Sequence, residues 1–485
     1  MPADTANPSR RTEPVVVVGA GWAGLSAALH LCRAGVAVRV LEAAPQAGGR
    51  ARRQVLPWPD TEGVMLDNGQ HLMLGAYRDT LSLIAWLGAG GLRRLPLYWE
   101  NAAGLRIQRH QHRLAGSRPD ALSRQLAVSL SLPGALLSAR GLTLGQRWHV
   151  LYTLGMARLA GWRPARGVRC VTDWYRQTRQ PEALIRQFWD PLVISAMNTP
   201  PATASAQVLL RILQDSLGKA PEASDFVLNE SDLGAVFVDP ALAWLKAQGN
   251  PVELRTPVHD IQIDDTGRRQ DGAGQRYRLR IGGAARESGS GWLDTERMVL
   301  ACPAPVSARL LEDLAPASFL APLQGFSYPS ITTAYVGWRQ TNPALPARLP
   351  DIFSLAVTAD GSPGGPAHWF FSRGEQQGWR LGALVVSDSA QARDAGDAVL
   401  VRALQQQLHD TMGLPTAEHL VLVHEKRATF ACTDRRPVVP PGYLLPQLPG
   451  VLLAGDYSYG AYPATLESAV RSGRMAAEIL LADQD

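Results

Sequence analysis

The chain has 485 residues, 46% of them hydrophobic and 19% charged, with a formal net charge of +5. That length exceeds one ordinary core and predicts two or three domains. The apolar content excludes a disordered chain, and so modest a charge gives no ground for a nucleic-acid binder.

All but three of the 48 basic residues are arginines, the lysines being Lys219, Lys246 and Lys426. Cys32, Cys170, Cys302 and Cys432 are scattered without metal-ligand spacing, so reduced thiols and no metal site are expected. Residues 1–13 read as a short disordered lead-in without the apolar core of a signal peptide. No run of 18 apolar residues follows, so a cytoplasmic protein is expected, at most peripheral on the inner face of the membrane.

The first strong element is VVVV at 15–18, a buried strand. Gly19, Gly21 and Gly24 follow it at G-x-G-x-x-G spacing, and a helix is expected from about Ala23 to Ala34. Gly19 makes the tight turn, Gly21 lets the backbone approach a pyrophosphate, and Gly24 lets helix and strand pack closely. Trp22 and Ala23 open the helix, whose positive end faces the phosphates. A second strand, 36–41, ends in Glu42 at the distance where an acid grips ribose hydroxyls. Together these predict an ADP-containing cofactor. Gly48 and Gly49 permit another close backbone approach, and Arg50 can neutralise phosphate; an ordinary loop with a surface arginine is the plainer reading.

The loop DNGQHLMLGAY at 67–77 offers Asp67, Gln70 and His71, either to bind the cofactor or to act as acid or base. A turn held by Asp67 and Asn68 is the alternative. From about Thr80 to Gln214 the pattern is mainly helical. The stretches 122–142 and 145–162 mix apolar faces with arginines, either as core-facing helices or as a surface that dips into anionic lipid. PVELRTPVHDIQID at 251–264 alternates as a strand, 267–291 is a polar, glycine-rich hairpin, and 298–301 is a short buried strand. Further strands are expected at 326–340 and 380–388, and a helix near 390–413.

The chain ends in strand, loop and helix. A strand from Val451 to Gly455 delivers Asp456 to the hydroxyls of a ribityl chain, and a helix begins at Thr465 and Leu466. Its N-terminus faces a flavin pyrimidine, which favours FAD over NAD. Tyr457, Tyr459 and Tyr462 either wall the flavin or simply pack. No second glycine fingerprint argues for a resident NADPH site.

The expected architecture is α/β: a discontinuous Rossmann-type FAD-binding domain with an inserted α+β substrate domain. Its cofactor segments are 12–79, 215–305 and 426–485. A helical substrate or membrane-facing region fills 80–214, and the substrate domain's sheet and helix fill 306–425.

Glu42 followed by Gly48-Gly49-Arg50 after such a unit resembles flavoproteins related to amine oxidases and phytoene desaturases. In that superfamily the position of Val258 lays a backbone group against adenine, though an ordinary strand valine reads the same. DNGQHLMLGAY, FWDPLVISAMNTP (188–200) and LLAGDYSYGAYPATLESAVRSG bring the resemblance closer, to the hydroxysqualene dehydroxylases. It spans nearly the whole chain. It implies reduction of hydroxysqualene to squalene in bacterial squalene and hopanoid synthesis, with reduced FAD giving hydride to an allylic cation. It also implies an isoprenoid substrate and other squalene-pathway enzymes as partners. Within that expectation His71 is the first acid candidate and Asp67 the second, while Tyr459 and Tyr462 offer aromatic faces to the cation. The rivals are a phytoene-type desaturase, an amine oxidase and a non-catalytic flavin-containing lipid-handover protein.

Overall fold

A computed structural model describes residues 13–109, 133–218, 220–264, 275–283, 291–440, 442, 447–460 and 462–483. The lead-in before residue 13, most of the 122–142 stretch and much of the 267–291 hairpin lie outside the described residues.

The fold is α/β, centred on a five-stranded parallel sheet. Its strands are β1 (Val15–Val18), β2 (Val38–Leu41), β3 (Val252–Glu253), β4 (Met298–Leu300) and β5 (Val451–Leu453), in the spatial order β3-β2-β1-β4-β5. The four valines of β1 are buried on both faces, as a central parallel strand requires. Helix α1 (Trp22–Arg33) crosses from β1 to β2, and Val15–Val18 pair in register with Val38–Leu41. Three widely separated pieces of chain therefore share one sheet. The last helix, labelled α3 (Leu466–Ala482), packs on α1. A β-carbon at Gly473 would stand 2.1 Å from the Ala23 carbonyl oxygen, so only glycine permits that crossing.

A second, antiparallel sheet runs in the order 352–354, 369–376, 379–387, 331–339, 419–425. The helix Asp397–Met412 buries Leu400, Leu404 and Leu408 with one face of it. Between β2 and β3 in the chain lie helical segments, among them α2 (Leu144–Leu159), capped by a reciprocal Thr143–Gln146 box.

Three expectations about elements need correction. The 80–214 region also carries short strands at 92–95, 98–100 and 106–108, where Gly90, Gly91 and the Asn101–Gly104 turn break helical periodicity. The 251–264 stretch is two strands in two different sheets. Arg255 at φ +55° and Pro257 interrupt it, so Val252–Glu253 joins the parallel sheet and Val258–Ile263 an antiparallel one. The 390–413 helix is broken at Gly396, whose φ is +91°. All four cysteines are free thiols.

Candidate active site

The ends of β1, β2 and β4 open onto a cavity of about 940 Å³. At this end its wall is mostly bare backbone. Gly19 takes φ +108°, and a β-carbon there would meet the Ala301 carbonyl oxygen at 2.7 Å. Gly24 is held against the Gly19 carbonyl, 1.9 Å from where its β-carbon would be. Gly21 differs: the nearest atom to its missing β-carbon is Gly49 Cα at 3.9 Å, so the space in front of it is open cavity. Gly21 caps α1 without any side-chain bond, and Trp22 and Ala23 line the wall beside it. Uncapped first-turn N–H groups facing open space suit a phosphate.

Glu42 lies over this turn. Its carboxylate accepts from Ala20 N at 2.7 Å and from Ala44 N at 2.8 Å, one bond on each oxygen, leaving lone pairs for a hydroxyl. Gly48 (φ +105°) and Gly49 (φ +62°) need the left-handed region and bring the chain back against Gly21. Val258 opens its strand on the same wall. Across the cavity Gly455 donates its N–H to Ser472 Oγ, and Thr465 and Leu466 begin α3 with the Thr465 side chain as cap.

Arg50 is not turned toward the glycine turn as the sequence suggested. Its guanidinium donates to Asp456 Oδ1 at 2.6 Å and to the Ala428 carbonyl at 3.0 Å. The two residues expected to hold different parts of the cofactor are paired with each other. Asp456 is nearly buried, and a carboxylate there requires a counter-charge.

The other end of the cavity is apolar. Trp99, Phe188, Leu192, Trp369 and Phe371 wall it, with Val150 and Leu154 of α2. Trp369 meets Trp99 edge-on at 4.6 Å and donates its indole N–H to Ser195 Oγ. The FWDPLVISAMNTP segment supplies Phe188, Leu192 and Ser195 from a helix that opens with a π turn and closes at Asn198, φ +44°. Sequence reasoning missed this chamber, since its members come from segments as far apart as Trp99 and Phe371.

Asp67 and His71 are neighbours with different outlooks. Asp67 is fully buried and does not line the cavity. Its oxygens accept from Leu233 N (2.7 Å) and Asn229 Nδ2 (2.9 Å), with Arg373 Nη2 at 3.8 Å. Burial pushes its carboxyl up, against the Arg373 guanidinium. This corrects its reading as an acid facing substrate: both oxygens hold the wall behind. His71 does line the cavity. Its Nδ1 lies 2.7 Å from the Gly69 carbonyl, which can only accept, so that nitrogen carries the proton. Burial pushes the imidazole down, and Nε2 then presents a lone pair rather than a proton.

The tyrosines separate likewise. Tyr459 is not on the cavity wall; its ring lies against Arg471, 5.6 Å away, and its hydroxyl is 3.3 Å from Arg471 Nη1. Tyr462 is on the wall, with Arg211 and Arg471 at 5.5 and 5.1 Å from its ring centre. Two guanidiniums therefore lie over the Tyr462 ring and one over the Tyr459 ring, cations already placed where an aromatic face would meet a carbocation. Tyr462 Oη, in contrast, is buried without a hydrogen-bond partner among the described residues. Gln70 Oε1, also on the wall, is unpartnered too.

A family model for flavin-containing amine oxidoreductases matches residues 22–481. The chain belongs to that family. It is an FAD-dependent oxidoreductase. Among curated proteins it is 26% identical to a hydroxysqualene dehydroxylase of Zymomonas mobilis, covering 96% of this chain and 98% of that one. It is 27% identical to one of Rhodopseudomonas palustris, over 97% and 99%. Its fold is similar to that of cyclohexylamine oxidase from Brevibacterium oxydans, with TM-score 0.63, 15% identity and coverage of 97% and 99%. The open space before Gly21, the uncapped start of α1 and the unpartnered Gln70 oxygen fit an FAD at the glycine end.

Proposed function

We propose that the protein reduces hydroxysqualene to squalene and water. One observation supports this above the others: the glycine-walled end and the aromatic chamber belong to a single cavity of about 940 Å³, so a long apolar substrate can lie against the cofactor with water excluded. The full-length similarity to hydroxysqualene dehydroxylases supports the same reading.

When bound and reduced, FAD supplies hydride. Gly19, Gly21, Trp22, Ala23, Gly48 and Gly49 would take its phosphate side, and Glu42 its ribose. Val258 would hold the adenine side, Gly455 and Asp456 the ribityl chain, and Thr465 and Leu466 the flavin end. We read 12–79, 215–305 and 426–485 as the pieces of this cofactor unit. The C–O bond breaks with its electron pair on oxygen, which takes a proton and leaves as water; the carbon takes hydride. The proton-bearing donor on the wall is Tyr462 Oη, because a phenol keeps its hydrogen at neutral pH while neutral His71 turns a lone pair inward. His71 Nε2 accepts instead and orients the hydroxyl. Arg211 and Arg471 fix the Tyr462 ring.

The test is anaerobic mixing of photoreduced holoenzyme with hydroxysqualene. Flavin reoxidation with stoichiometric squalene is expected; flavin that stays reduced overturns the reading, and oxidised enzyme that desaturates a polyene favours a desaturase. Tyr462→Phe is expected to slow reoxidation about 100-fold with FAD retained. His71→Gln is expected to cost about tenfold or less. The reverse order would return the donor role to His71.

A further inference from the structure

Of the eleven large hydrophobic residues exposed among the described ones, six fall between 137 and 159: Leu137, Leu144, Trp148, Tyr152, Met156 and Leu159. The last five lie on α2. At about 100° per residue they occupy one arc of roughly 120°. Leu159 is 83% exposed, Leu144 68%, Trp148 66% and Tyr152 65%. The opposite side of the same helix carries Val150 and Leu154, which are buried and line the cavity. This helix is thus the wall between the aromatic chamber and the outside, and its outer face is as apolar as its inner one. A folded chain rarely leaves so ordered a stripe to water.

The charge around the stripe is of one sign. From 133 to 172 there are six arginines and no aspartate or glutamate. Arg169 is paired with Asp434, and Arg147 donates to the Leu137 and Leu142 carbonyls. Arg140, Arg158, Arg163 and Arg166 are exposed and make no ion pair among the described residues. A second copy seated on this face by a two-fold axis would set arginine against arginine. An anionic bilayer meets both features, because headgroups pair with the guanidiniums while Trp148 and Tyr152 sit at the interfacial level.

We infer that the Leu144–Leu159 face of α2 docks on an anionic lipid surface, bringing the chamber behind it against the bilayer. The inference stands apart from the identity of the substrate. The test is co-sedimentation of the FAD-loaded full chain with vesicles of phosphatidylcholine, alone or with about a third phosphatidylglycerol. The wild-type protein is expected to pellet with the anionic vesicles and to be released as salt rises. Trp148→Gln with Leu159→Gln is expected to weaken partition at least tenfold, since each buried large side chain contributes about 1.5–3 kcal/mol. Arg158→Gln with Arg163→Gln is expected to weaken it about tenfold and flatten the salt dependence. Wild-type protein that stays in the supernatant overturns the inference without any variant. So do variants that pellet like wild type, or a wild-type dimer that the apolar variant makes monomeric. No substrate is present, so failure here leaves hydroxysqualene turnover untouched.

Discussion

The two ends of the cavity are built by different means. At the glycine end the wall is backbone, and most of it comes from residues 19–50, held by positive φ values and the absence of β-carbons. At the chamber end the wall is side chain, contributed by Trp99, Phe188, Trp369 and Phe371 from separate segments. A backbone wall fails through one misplaced carbon, whereas a side-chain wall loses its function by degrees. Gly21→Val tests the first half of that contrast and carries the largest expected effect on binding. Its φ of −74° and the open space before it suit valine in the apoprotein, so stability should fall by no more than a cap substitution costs, about 1 kcal/mol. FAD affinity should fall at least ~100-fold, or ~2.7 kcal/mol. Gly24→Ala should do the opposite, destabilising the fold itself, since its β-carbon would sit 1.9 Å from the Gly19 carbonyl oxygen. FAD titration and thermal unfolding of both variants decide it; equal FAD affinity in Gly21→Val breaks the contrast.

Trp369→Ala tests the second half. The indole is 6% exposed and packs on Trp99, so its loss should cost about 3–5 kcal/mol of stability. KM for the isoprenoid should rise about tenfold, the loss of roughly 1.4 kcal/mol of binding, while FAD affinity stays at the wild-type value. A parallel loss of FAD affinity would show that the two ends are one mechanical unit and that the contrast is false.

The same difference explains what could be read in the sequence. The β1–α1–β2 unit was legible because its rules are local: a buried strand, three glycines at fixed spacing, and an acid at the end of the next strand. The pairing of Arg50 with Asp456 was not, because 406 positions separate them and no local rule says that two expected cofactor contacts satisfy each other. The reading of Asp67 failed for a similar reason. Nothing near it in the chain announces Asn229, Leu233 and Arg373, which turn its carboxylate away from the cavity. The chamber left only indirect traces, in a segment whose resemblance pointed to an apolar substrate. The outer face of α2 was visible as a mixture of apolar residues and arginines, yet only its packing shows which side faces inward.

The smallest expected effect concerns charge behind the two walls. His71 on the cavity wall and Asp67 behind it are shifted in opposite directions, the imidazole down and the carboxyl up, so their contributions to stability oppose each other as pH changes. His368, next to Trp369, has no such partner. Its Nδ1 is buried without a hydrogen bond among the described residues, and burial lowers its pKa to about 4. The unfolded chain therefore binds a proton on His368 below about pH 6.5 that the folded chain refuses until about pH 4. The stability it contributes is fully present above that range and is lost as pH falls through it, a loss on the order of 1–2 kcal/mol by pH 5. In His368→Gln that part of the decline should vanish, leaving the apparent Tm a few degrees less sensitive to acid than in wild type. Thermal scans from pH 7.5 to pH 5 measure the difference directly. Coincident curves for the two proteins would mean that the acid sensitivity of the fold arises elsewhere, as at His71, whose lowered pKa has the same sign, and that the chamber wall tolerates a proton.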